Sequence, residues 1–112
     1  MSKPHPLIAI RMFQKVLSDI RTENIKFFVG DIVKISDKFE KSSFIATIKY
    51  PYCYPIQDEQ SYCVENYVIP WKESEIKLIQ ANKNGREDTV KLFEDCIAKA
   101  EMELKNDTWV SN

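Results

Sequence analysis

Glycine is nearly absent from this chain, with only Gly30 and Gly85 among 112 residues. That excludes a phosphate-cradling loop, which needs several glycines close together so that backbone N–H groups can reach the phosphate. Histidine occurs once, at His5, and the three cysteines, Cys53, Cys63 and Cys96, contain no Cys-x-x-Cys pair. So few ligands at these spacings give no expectation of a metal site or a cofactor. An odd cysteine count without an export signal speaks against a disulfide framework. The thiols read instead as small buried hydrophobes. No apolar run approaches the roughly 20 residues of a membrane span. A short apolar segment follows Lys3-Pro4-His5-Pro6, but Arg11 and Lys15 interrupt it, which makes a poor secretion signal. A soluble, cytoplasmic protein without membrane contact is the expectation.

What is present is an ordinary globular balance, 44% hydrophobic and 29% charged residues, too apolar for a disordered chain. The length suits one domain. The net charge of −1 conceals a gradient: residues 1–50 hold nine Lys or Arg against five Asp or Glu, and residues 51–112 hold seven against twelve. Acids are interspersed with the bases, so the dense basic stripe of a typical nucleic-acid-binding surface is missing.

Hydrophobic periodicity predicts two helices around a β-rich middle. Ile10, Phe13, Val16 or Leu17, and Ile20 recur at steps of three and four, which places a helix over 6–22 with Pro6 in its first turn and Asn24 as its stop. Val90, Phe93, Ile97, Ala100 and Leu104 form a second apolar seam over 86–105, with Asn84 and Glu87 as a capping pair. That stripe suits packing inside the chain or the seam of a homodimer. Between them, residues 26–80 alternate as short strands. The first runs through Phe27–Ile35 around Gly30-Asp31, the second through Phe44, Ala46 and Ile48, and a third through Tyr62 and Val64, reaching toward Tyr67 and Ile69. Ser36–Ser42 reads as a turn, Trp71–Ser74 as a short turn or a single helical turn, and Glu75–Ile79 as the last strand. Pro51 and Pro55 cannot donate ladder hydrogen bonds, so a central strand is not expected there.

Val29-Gly30-Asp31-Ile32-Val33-Lys34-Ile35 at one end, and Tyr67-Val68, Trp71, Glu73 and Glu75-Ile76-Lys77-Leu78-Ile79 at the other, resemble the opening and closing strands of small SH3-like barrels, Tudor-like members included. The resemblance spans residues 27–79. It implies an α+β fold, a small SH3-like antiparallel β-barrel flanked by an N-terminal and a C-terminal α-helix. The Ala-Leu-Tyr-Asp-Tyr-like opening of peptide-binding SH3 domains is missing, and the aromatic loop comes one connection later. The resemblance therefore implies a fold and transfers no ligand.

Tyr50-Pro51-Tyr52-Cys53-Tyr54-Pro55 is the foremost functional segment. Three tyrosines and two prolines give large, rigid contact area, the composition that anchors protein interfaces. Asp58 and Glu59 follow closely, and Trp71 precedes the last strand. Tyr50, Tyr52, Tyr54, Asp58, Glu59 and Trp71 form the expected protein-docking surface. The alternative is a loop that tucks its tyrosines against the barrel end. Trp109, in the tail, either pins the C-terminus or meets a partner. A second reading is nucleic-acid binding through Lys26, Lys34, Lys38, Lys41 and Lys49, although edge-strand lysines also serve to block aggregation. No nucleophile–base pair or acid/base motif is recognisable, so a non-enzymatic adaptor or inhibitor is expected. The Lys-, Ile- and Asn-rich composition fits a phage or mobile-element accessory protein.

Overall fold

The computed structural model describes residues 5–54 and 56–106. The chain runs α1 (Pro6–Arg21), β1 (Ile32–Asp37), β2 (Ser42–Pro51), β3 (Ser61–Val64), β4 (Trp71–Lys72), a 3-10 turn (Glu73–Glu75), β5 (Ile76–Gln80) and α2 (Gly85–Lys105). The fold is α+β, two helices and one five-stranded antiparallel sheet ordered β4-β3-β2-β1-β5.

α1 begins where His5 accepts a hydrogen bond from the Leu7 amide at 3.1 Å, with Pro6 at the first position, where a missing N–H has no helical partner to lose. Its end differs from the expected stop at Asn24. Glu23, at φ 62°, is the left-handed residue, and the amides of Glu23 and Asn24 close back onto the carbonyls of Ile20 and Asp19. This is a Schellman-type C-cap built on a residue other than glycine.

β1 begins at Ile32, five residues later than expected, because Gly30 at φ 86° turns the chain just before it. Val33 and Ile35 point inward and are fully buried, and they pair with Ala46 and Phe44 of β2. The connecting turn tightens to Lys38–Lys41. β2 is the long central strand. Its first half pairs with β1 and its second half with β3, with a register shift between Ile48 and Tyr50. Pro51, expected to break such a strand, closes it instead, buried opposite Tyr62. β3 stops at Val64, so Tyr67 and Ile69 lie in a loop rather than a strand. Trp71 and Lys72 form a short strand, and Glu75 belongs to the 3-10 turn, leaving β5 to start at Ile76.

β4 and β5 are the two edges of the sheet, yet only three residues separate them. Four strand spacings would hold the edges of a flat sheet about 19 Å apart, whereas a single 3-10 turn spans only about 6 Å. The sheet therefore curls until its edges approach. No ladder joins β4 to β5, so it is not closed into a barrel.

The two helices pack on each other, with Phe13 and Phe93 at 5.8 Å between ring centroids. Val16, Leu17, Ile20 and Phe93 share one continuous core with Val33, Ile35, Ile48, Tyr62, Val64 and Trp71. The Val90–Phe93–Ile97 part of the α2 seam is thus engaged within the chain. The expected Asn84–Glu87 cap is not made: Asn84 occupies the N-cap position without a side-chain hydrogen bond. No described helix is long and apolar enough to cross a membrane.

Candidate functional site

The tyrosine segment is a pinned hairpin rather than a loose loop. Ile56 and Glu59 exchange backbone hydrogen bonds at 2.9 and 3.0 Å around Gln57 and Asp58, both with positive φ, which is the signature of a type I′ turn. The Tyr52 amide donates to the Ser61 carbonyl. Gln60 Nε2 donates to the carbonyls of Tyr52 and Ser61, and Ser61 Oγ to that of Tyr54. Every one of these bonds ends on the backbone, and none of them uses a tyrosine hydroxyl.

Tyr50 turns toward α2 and stands edge-on to Phe93, with centroids 6.5 Å apart. Burial, then the neighbouring Cys63, push its hydroxyl up to about 12. Tyr52 meets Tyr54 edge-on at 5.8 Å, and burial raises its hydroxyl as well. Tyr54 is half exposed and its hydroxyl donates to the Met12 sulfur at 3.2 Å. Between these rings and the helices lies an open cleft of about 330 Å³, walled by Phe13, Tyr50, Tyr52, Leu92 and Phe93. No described wall residue is charged. Cys53 and Cys96 also line it, and burial raises both thiols, so at neutral pH they are protonated and weakly nucleophilic.

The other expected docking residues do not join this cleft. Trp71 is buried on β4, beside Tyr62 in the sheet and against Phe44 and Tyr67. There it lines a second cleft, of about 440 Å³, with Phe39, Ile56, Ile69 and Pro70. The Trp71 indole nitrogen is the one buried side-chain polar atom without a hydrogen-bond partner among the described residues. Asp58 is exposed at the hairpin tip. Glu59 is used within the chain: Ser74 donates its amide to the carboxylate, and these bonds hold Glu59 below the usual carboxylate range. The expected surface is thus split into two clefts, with the hairpin between them. Trp109 lies outside the described residues.

The five lysines of the nucleic-acid reading are not gathered either. Lys26 pairs with Glu73 at 3.6 Å. Lys34 stands on the outer face of β1, directly opposite Lys77 of β5. Lys38 and Lys41 flank the β1–β2 turn, whereas Lys49 lies near the far end of β2 with its ammonium 6.0 Å from the Tyr50 ring centroid. Eight residues of strand separate Lys41 from Lys49, about 26 Å of path.

Residues missed in the sequence complete the picture. Phe13, Leu92 and Phe93 line the tyrosine cleft, although the periodicity of Phe13 and Phe93 marked them only as core. Phe39 gave no signal in a polar turn, yet it is 97% exposed. No group of three or more His, Cys, Asp or Glu side chains is arranged to hold a metal among the described residues.

Compared with protein-family models, with curated proteins and with solved structures, the chain matches none.

Proposed function

We propose that this protein is a non-enzymatic protein-binding module, an adaptor or inhibitor that acts by occupying a surface of another protein. The observation that carries this reading is the convergence of Phe13, Tyr50, Tyr52 and Phe93 on one open, uncharged cleft. Aromatic walls with few rotatable bonds lose little entropy on contact, and anchors seated in such desolvated pockets dominate binding energy. The complementary partner presents an aliphatic or aromatic side chain to the cleft, with Tyr52 and Tyr54 closing over its rim. The curled sheet serves as the scaffold. Its strand order and the 3-10 turn before β5 support assigning it to the SH3-like class in an open form.

Affinity capture from a lysate of the source cell, after nuclease treatment, tests this. A retained protein whose affinity drops about 30-fold or more for Tyr52→Ala or Leu92→Asp, equivalent to a hot spot of about 2 kcal/mol, supports the reading. Retention unchanged by both substitutions sinks it. Capture lost entirely to nuclease transfers the assignment to nucleic acid and the scattered lysines.

A further inference from the structure

The second cleft carries an inference independent of the first. Phe39 is 97% exposed at the tip of the β1–β2 turn, and Val68 is 99% exposed in the β3–β4 loop. Ile69 and Tyr67 beside Val68 are 59% and 44% exposed. Phe39, Ile69 and Trp71 line the same cleft with Ile56 and Pro70, Tyr67 packs against both Phe44 and Trp71, and the charged residues Asp37, Lys38, Glu40, Lys72 and Glu75 line the cleft beside them. Phe39 is also held in place, because Asp37 Oδ1 accepts from the Phe39 amide at 2.9 Å and the Glu40 amide at 3.3 Å. A large contiguous apolar patch on a folded surface marks an interaction site.

We propose that this patch is a self-association surface, on which two copies pair about a two-fold axis with Phe39 of each seated in the cleft of the other. Three features select a second copy as the occupant. First, an isologous interface needs the protruding group and its receptor on the same patch, and here both are present. Second, the charges are self-complementary. Lys38 and Glu40 flank Phe39 with opposite signs, and neither is within ion-pair distance of a partner among the described residues, Lys38 acting on Glu59 only at longer range. Lys38 and Glu40 also line the cleft that receives Phe39, so antiparallel docking of the two turns brings Lys38 of one copy to Glu40 of the other, whereas a strongly acidic or basic partner would meet one repulsive charge. Third, the area fits. With an aromatic side chain presenting about 200 Å², the four exposed residues offer roughly 500 Å² of apolar surface per copy. For an interface about 60% apolar, this corresponds to roughly 800 Å² per copy, the size of a standard stable interface.

Sedimentation equilibrium on the full chain across a wide concentration range tests the proposal. The expected result is a monomer–dimer equilibrium whose dissociation constant weakens about tenfold or more in Phe39→Ser. At concentrations where both proteins are monomeric, the exposure of Phe39 predicts an unchanged unfolding midpoint for that variant. Lys38→Glu and Glu40→Lys each weaken the dimer, and the double variant recovers it, because the exchanged charges again meet across the axis. Three outcomes overturn the proposal: a wild-type chain that stays monomeric throughout, a dimer indifferent to Phe39→Ser, or a double charge variant weaker than either single one. A monomeric wild type that binds a different protein through Phe39 overturns it too, and gives the cleft to a foreign chain.

Discussion

The backbone amide of Asn82 donates to Oδ1 of Asp31 at 2.7 Å, across fifty-one residues of sequence. The other carboxylate oxygen accepts from the Phe28 amide at 2.9 Å. One buried side chain therefore ties the turn before β1 to the segment that launches α2. Val29 strengthens the junction, receiving Asn82 Nδ2 on its carbonyl at 2.7 Å and donating its amide to Thr89 Oγ1 at 2.9 Å. Both glycines of the chain sit here. A Cβ on Gly85 would lie 3.0 Å from the Phe28 Cβ, and one on Gly30 would lie 2.6 Å from Asn82 Nδ2.

Asp31→Ala leaves two partly buried donors without their acceptor, at about 1–3 kcal/mol each. Urea denaturation should show a loss of about 2–6 kcal/mol. Asp31→Asn keeps one acceptor oxygen and should lose about half as much. A loss under about 1 kcal/mol for the alanine variant would remove Asp31 from its place in this junction.

Gly30→Ala should cost about 2–3 kcal/mol. The left-handed backbone alone penalises an L side chain by about 1–2 kcal/mol, and the displaced Asn82 amide loses its bond to Val29, worth about 1 kcal/mol. Thermal unfolding of the variant, set beside Asn82→Ala, measures both parts.

Alkaline stability should decline from about pH 10 upward. Tyr50 is raised from 10.0 to about 12 by burial and by Cys63. Tyr62 is raised further by burial and by the hydrogen bond it donates to Glu73 at 2.6 Å. A hydroxyl whose folded pKa exceeds its unfolded one contributes stability below the unfolded value, and that contribution is lost as pH rises through the folded one. Unfolding midpoints measured from pH 8 to 12 give this slope. In Tyr62→Phe the slope should flatten, while neutral-pH stability falls by about 1–3 kcal/mol because the Lys26 amide loses its acceptor. An unchanged slope in that variant would contradict the assignment.

Phe93→Ala should destabilise by about 3–5 kcal/mol, since the ring is buried and meets both Phe13 and Tyr50. The same change removes one wall of the tyrosine cleft. Partner binding should therefore fall below what the unfolded fraction explains, as read by comparing affinity with circular dichroism at one temperature.

The three thiols should resist alkylation in the native state, because burial raises each of them. Cys63, the least exposed, should react slowest with iodoacetamide, and unfolding should bring all three to similar rates. Rapid native labelling of Cys63 would contradict its placement opposite Tyr50 in the sheet.

Much of the scaffold was legible in the sequence because it rests on local periodicity. Steps of three and four marked both helices to within a residue or two, and the alternation through Phe44, Ala46 and Ile48 marked the inward face of β2. Misplaced boundaries came from backbone partners that periodicity does not show. Pro51 ends a central strand because Tyr62 pairs with it, and Glu23 takes the left-handed cap because two carbonyls of α1 wait for the amides beyond it. Thr89 carried no signal in the sequence, and it is fully buried as the acceptor for the Val29 amide.

The sequence alone determined the helix–sheet–helix order, the scarcity of metal-ligating and phosphate-cradling residues, and the aromatic density of Tyr50–Tyr54. Which aromatics share a surface was decided only by the tertiary structure. The curl of the sheet and the type I′ turn at Gln57-Asp58 send Tyr50 and Tyr52 toward the helices, and leave Trp71 with Phe39 on the other side. The physical reason is that periodicity fixes the face on which a side chain leaves its own element, whereas the meeting of two faces depends on contacts made across the whole chain. The Gly30-Asp31 pair stood out in the sequence as the start of a strand. In the fold it is the junction that holds α2 against the sheet, and so sets one wall of the tyrosine cleft.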